Sequence, residues 1–115
     1  MKKVAPVLLT AVFLILLVLI LRPRWYLNLT QRVEVSPQAG ATLVEKHDCR
    51  SCHVIGGSGV LKAPNLDDAA QRESEETLYR WLANPRAMRP NTPMPNFHLS
   101  DSEINAIIAY LKSNP

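Results

Sequence analysis

Five consecutive residues, Cys49-Arg50-Ser51-Cys52-His53, carry the strongest chemical signal in the chain. On a helical turn, two cysteines three apart face the same side, where their thiols can form thioethers with the two vinyl groups of one porphyrin. The histidine next in line can then reach beneath the macrocycle and bind the iron axially. C-x-x-C-H is the attachment pattern of a c-type haem, so the expected cofactor is one covalent haem c held by Cys49 and Cys52, with His53 as its proximal ligand. Three rival readings are weaker. A disulfide across this spacing would be strained, a thioredoxin-like pair needs a strand-helix-strand context that is absent, and a zinc site needs a second closely spaced ligand pair.

The distal ligand is sought among the remaining sulfur and imidazole donors. Thr92-Pro93-Met94-Pro95 holds a thioether on a stiff, extended loop, because the flanking prolines restrict the backbone, and Met94 is the leading candidate. Met88 is a rival one turn past a helix end, and His47 or His98 would instead give a bis-histidine haem of lower potential.

These groups must be positioned by short helices. The first opens at Ser36-Pro37 and runs through Leu43 and Val44 to the cysteines. A second begins near Ser74, with Glu75 and Glu76 placed against its N-terminal dipole, carries Leu78, Trp81 and Leu82 at helical spacing, and stops at Pro85. Ser100-Asp101-Ser102-Glu103 forms a capping box ahead of Ile104, Ile107, Ile108 and Leu111, marking the third. Two long loops, Ile55 to Leu66 and Pro85 to Leu99, connect them, and no alternating run argues for strands. The expected class is all-α, with three to four short helices around the haem. Such a small, loop-rich domain buries too little apolar surface by itself, and the macrocycle would complete the core.

Length and composition frame this domain. A chain of 115 residues accommodates one small domain and an appendage. From Val4 to Leu21, sixteen of eighteen residues are apolar, the exceptions being Pro6 and Thr10. As a helix this run spans about 27 Å, close to the roughly 30 Å hydrocarbon core of a bilayer. Trp25 and Tyr26 follow at headgroup level. The competing reading is a cleaved signal peptide, with Lys2 and Lys3 as its positive start. However, the run exceeds an ordinary signal core, and RPRWYLNL offers no small-x-small cleavage site, which favours an uncleaved transmembrane anchor. The division expected is an anchor over 1–24, a tether over 25–37 without clear helical period, and the haem domain over 38–115.

The net charge of +3 comes from residues beside the apolar run. From Ser36 onward eight Lys and Arg face nine Asp and Glu, so a nucleic-acid partner loses its basic footprint. Lys46, Arg50, Lys62, Arg86 and Arg89 could still form a cationic collar that steers an acidic partner.

Taken together, GATLVEKHDCRSCH, APNL, LYRWLANP, RPNTPMP and LSDSEINAIIAYL resemble small class I cytochromes c, over roughly residues 38 to 113. The likeness extends to the haem domain fused to the second subunit of some bacterial haem-copper oxidases. The resemblance implies a class I cytochrome c fold in which Gly40 and Tyr110 lie where the first and last helices cross. It also implies that the Pro64 carbonyl accepts the second ring N–H of His53, that Met94 is the distal ligand, and that Trp81 packs near the haem. The chain departs from the oxidase subunit itself, because its only two cysteines belong to the haem motif and leave nothing for a dinuclear copper site. The function implied is single-electron transfer by a membrane-anchored mono-haem cytochrome in a bacterial respiratory or photosynthetic chain. It would be a shuttle or a fixed subunit, exchanging electrons with a quinol-oxidising complex or terminal oxidase, with no small-molecule substrate. Haem attachment in the family takes place outside the cytoplasmic membrane, which implies a periplasmic or outer-face haem domain. A gas-binding haem protein with a displaceable Met94, and a mainly structural subunit, are the alternatives.

Overall fold

The computed structural model describes residues 2–113. Helix α1, Val4–Leu21, has no buried residue, and all of it but the half-buried Val18 is exposed. It is the one helix among the described residues that is long and apolar enough to cross a membrane. Its C-terminus is closed by Arg22, whose N–H donates to the Val18 carbonyl at 2.9 Å from a left-handed conformation.

Helix α2, Arg24–Thr30, occupies the stretch expected to be an irregular tether. Seven residues give too short a period to stand out in the sequence, and tertiary packing of Leu27, 3% exposed, holds the helix in place. Helix α3, Pro37–Lys46, starts where expected, with the Ser36 hydroxyl accepting from the Ala39 N–H at 3.1 Å and proline in the first turn. It ends short of the cysteines. Asp48 takes a left-handed conformation (φ 53°) that redirects the chain into a 3-10 turn over Cys49–Ser51.

A two-residue hairpin follows, β1 (Val54–Ile55) against β2 (Ser58–Gly59), antiparallel with Val54 opposite Gly59. It is too short for any alternation to announce it. Helix α4, Leu66–Arg72, is not among the helices expected from periodicity. It begins at Asn65, whose side chain accepts from the Asp67 N–H at 2.9 Å, an N-cap that only the fold makes evident. Helix α5, Glu75–Ala83, starts where expected, and the Ser74 hydroxyl caps it by accepting from Thr77 N–H at 3.1 Å. Pro85 does more than stop it: it opens the four-residue α6, Pro85–Met88, so Met88 ends a helix of its own.

Helix α7, Asp101–Ser113, has the anticipated capping box. The Glu103 carboxylate accepts from Ser100 N–H at 2.9 Å, and the Ser100 hydroxyl accepts from Glu103 N–H at 3.2 Å. Ile104, Ala106, Ile107, Ile108 and Leu111 form the centre of the core, against Leu43 and Val44 of α3, Ala70 of α4, Leu78 of α5, Ile55 and Leu99. The α3–α7 crossing is tight. A Cβ added to Gly40 would lie 2.0 Å from the Ala106 carbonyl oxygen and 2.7 Å from Tyr110 Cβ, so only glycine admits this approach. The crossing expected for Gly40 and Tyr110 is therefore observed.

Candidate functional site

The 3-10 turn presents both thiols and the imidazole from one tight loop. Cys52 N–H and His53 N–H both donate to the Cys49 carbonyl, at 3.3 and 3.0 Å, and Ser51 closes the turn onto Asp48. Cys49 is partly buried and Cys52 exposed, both as free thiols. Burial, then the Asp48 charge, push the Cys49 thiol above its ordinary pKa, so it is held neutral. Among the described residues no cluster of three or more His, Cys, Asp or Glu gathers.

The segment after the hairpin folds back on this turn. Val60 N–H donates to the Arg50 carbonyl at 3.0 Å, and Lys62 and Ala63 N–H both donate to the Cys52 carbonyl at 3.0 and 2.8 Å. That approach brings Pro64 to His53, whose Nδ1 lies 2.8 Å from the Pro64 carbonyl oxygen. With Nδ1–H donating there, the ring is fixed in orientation and Nε2 keeps its lone pair for an iron.

Two devices hold the return loop. The Asp67 carboxylate accepts from Gly56 N–H at 2.7 Å and Gly57 N–H at 2.9 Å, both glycines having positive φ as the hairpin turn requires. These two bonds, Gly56 first, hold the Asp67 carboxyl below its ordinary pKa. Gly59 is the second: a Cβ there would lie 2.2 Å from the His53 carbonyl oxygen. The Gly56-Gly57 pair with a following acid is legible as a turn signal, whereas the Gly59 contact is not.

Arg50, between the two cysteines, is a positioning residue, although the sequence suggests a place in a solvent-facing collar. Its guanidinium pairs with Glu45 and donates to the Tyr110 hydroxyl at 3.0 Å and the Ile55 carbonyl at 3.2 Å. It ties the cysteine turn to α7 and to the buried strand residue. No local sequence pattern announces a partner sixty residues away.

Met94 lies half-buried on the irregular segment 89–100, its N–H donating to the Thr92 hydroxyl at 3.3 Å. Trp81, on α5, is half-buried as well. Neither belongs to the apolar side chains packed on the helical core, unlike their neighbours Leu82, Ala83 and Phe97. The rival His47 has its ring against Phe97, with centroids 5.1 Å apart. Burial, then the Lys46 charge, lower its pKa, partly opposed by Glu103. His98 occupies a left-handed turn (φ 53°) leading into α7.

The donor set fits a covalently bound haem: two thiols and an oriented imidazole on one turn. Apolar Val60 and Leu61, 46% and 69% exposed, are held against that turn.

Comparison with known proteins agrees. Residues 37–115 match the family model described as cytochrome c. Cytochrome c oxidase subunit 2 of Alkalihalophilus pseudofirmus is 28% identical over 89 residues, covering 70% of this chain and 26% of that protein. A nitric oxide reductase subunit of Stutzerimonas stutzeri is 32% identical over 79 residues, covering 64% and 54%. Its namesake in Halomonas halodenitrificans is 26% identical over 113 residues, covering 87% and 75%. The chain thus spans about a quarter of that oxidase subunit and half or more of these reductase subunits. With a turn built for thioether attachment and the family model covering residues 37–115, this chain belongs to the cytochrome c family and carries covalently bound haem c.

Proposed function

We propose that the chain is a membrane-anchored, mono-haem electron carrier that works as a subunit of a larger oxidoreductase complex. When bound, haem c takes up and releases one electron at its iron. Cys49 and Cys52 fix the group covalently, His53 Nε2 is the proximal ligand and the Met94 thioether the distal one. Pro64 orients His53, and Trp81 walls the pocket. The observation that carries this reading is the 2.8 Å contact from His53 Nδ1 to the Pro64 carbonyl, on the turn that also holds both thiols. With His53 and Met94 both holding the iron, no site would remain for substrate, and outer-sphere transfer would be the chemistry left. A thioether ligand together with burial raises the potential relative to a bis-histidine site.

Residues 1–24 are read as the anchor, 25–37 as the connection and 38–115 as the haem domain, facing the periplasm or its equivalent. The subunit reading draws support from relatives that are themselves named as subunits of oxidase and nitric oxide reductase. The ligand set is tested with carbon monoxide on the ferrous protein. The wild type is expected to bind slowly and incompletely at neutral pH, and Met94→Ala rapidly and fully, with a lowered potential. Rapid, complete binding by the wild type would favour a gas-binding haem protein. Mild detergent extraction tests the subunit reading: a stoichiometric complex supports it, and a free monomer indicates a shuttle.

A further inference from the structure

Only Arg22 and Pro23 separate the apolar helix from the next one. Arg22 N–H is tied to Val18, Pro23 has a ring-fixed φ of −62°, and the Tyr26 and Leu27 N–H groups close on the Pro23 carbonyl at 3.0 and 3.1 Å. Across this elbow, Trp25 and Tyr26 line an apolar groove with Leu14, Ile15, Val18 and Leu19 of α1.

The far side of α2 is fastened to the haem domain. Arg24 donates to Asp101 Oδ1 at 2.8 Å and to the Leu99 carbonyl at 3.1 Å, with its guanidinium 5.6 Å from the Tyr79 ring centroid. Asn28 bonds Asp101 twice, its amide donating to Oδ2 at 2.9 Å and its oxygen accepting from Asp101 N–H at 2.8 Å. The Tyr79 hydroxyl donates to Oδ1 at 2.5 Å. Beyond α2, the Gln31 carbonyl accepts from the Ser100 hydroxyl at 2.6 Å and Val33 N–H donates to the Ser102 hydroxyl at 3.1 Å.

We propose that residues 22–33 form a rigid strut that fixes the haem domain in one orientation to the membrane. Electrons are then exchanged with a partner held in the same membrane assembly, not by a haem domain swinging on a tether. The proposal rests on the anchor reading of residues 1–24. Its physical basis is continuity: from Arg22 to Gln31 the chain is helical, ring-restricted or hydrogen-bonded, and Val33 is tied to Ser102. A flexible linker instead leaves its backbone solvated and its ends uncorrelated.

The test uses the full holoprotein in lipid nanodiscs, where both native cysteines are occupied as thioethers. Nitroxides are placed on Ile20→Cys and Glu75→Cys, both exposed positions, and their distance distribution is measured by pulsed electron paramagnetic resonance in the ferrous state. One narrow distribution is expected, broadened about twofold or more in Asn28→Ala/Tyr79→Phe as the strut opens. An unchanged haem absorption spectrum verifies that the domain is intact, and Leu27→Ala, which removes only packing, serves as an independent second variant. A broad distribution in the anchored wild type, or one that neither variant changes, would overturn the strut while leaving the anchor standing. A mature chain lacking residues 1–24 by mass would instead remove the anchor reading and the strut with it.

Discussion

Replacing Gly40 with alanine probes the contact on which the haem domain's core depends. The new Cβ would sit 2.0 Å from the Ala106 carbonyl oxygen and 2.7 Å from both the Ala106 carbonyl carbon and Tyr110 Cβ. Non-bonded carbon contacts become favourable only near about 3.5 Å, so α3 and α7 must part by roughly 1.5 Å. The obstruction includes backbone within a helix, which no rotamer change relieves. Parting the helices loosens Leu43 and Val44 against Ile104 and Ile107, all of them buried. Overpacking of this kind costs about 3 kcal/mol or somewhat more, and the better helix propensity of alanine returns about 1 kcal/mol. The net loss expected is about 2–3 kcal/mol, which for a domain of this size lowers Tm by about 10–20 °C. Thermal and guanidinium unfolding of the holoprotein, followed by circular dichroism, measures it. Gly57→Ala is the control, because nothing lies within 4 Å of its added Cβ and only its φ of +73° opposes the change. That costs about 1 kcal/mol. A Gly40→Ala protein as stable as the wild type would refute the reasoning.

Arg50→Ala removes the bonds to Tyr110, Ile55 and Glu45, and is expected to destabilise the holoprotein by about 1–3 kcal/mol in urea unfolding, whereas an unchanged midpoint would return Arg50 to the solvent-facing collar. Acid should weaken the fold through two carboxylates. Gly56 and Gly57 hold Asp67 below its ordinary pKa. At Asp101 burial acts upward, but the hydrogen bonds from Tyr79, Asn28 and Arg24, with the Arg24 charge, prevail and hold it low. A carboxylate depressed on folding contributes stability above its unfolded pKa of about 3.9, and the contribution disappears as pH falls through the lower folded value. Stability should therefore decline below about pH 4, and Asp67→Asn should flatten that decline in unfolding curves measured across pH. An acid slope identical to wild type would count against the Asp67 contacts.

The chemistry of the site is readable in the sequence because it lies within one turn. Cys49, Cys52 and His53 are close neighbours along the chain, and their spacing alone names the group they attach. Helices α3, α5 and α7 are readable because their starts are marked at Ser36, Ser74 and Ser100; each serine caps its helix, and the capping box expected at Ser100 is formed. Helix α4 has a comparable Asn65 cap, yet too few residues to show a period, and α2 lacks a side-chain cap altogether.

By itself the sequence determined the attachment turn, the apolar helix and the capped helices, since each is dictated by forces acting over four residues or fewer along the chain. Tertiary structure decided what those pieces lean on. Arg24 meets Asp101 across 77 positions and Arg50 meets Tyr110 across 60, and a tether became a docked helix because Leu27 and Asn28 found partners in the haem domain. A side chain's charge or amide states what it can bond, but only the packed chain fixes which distant group stands within reach.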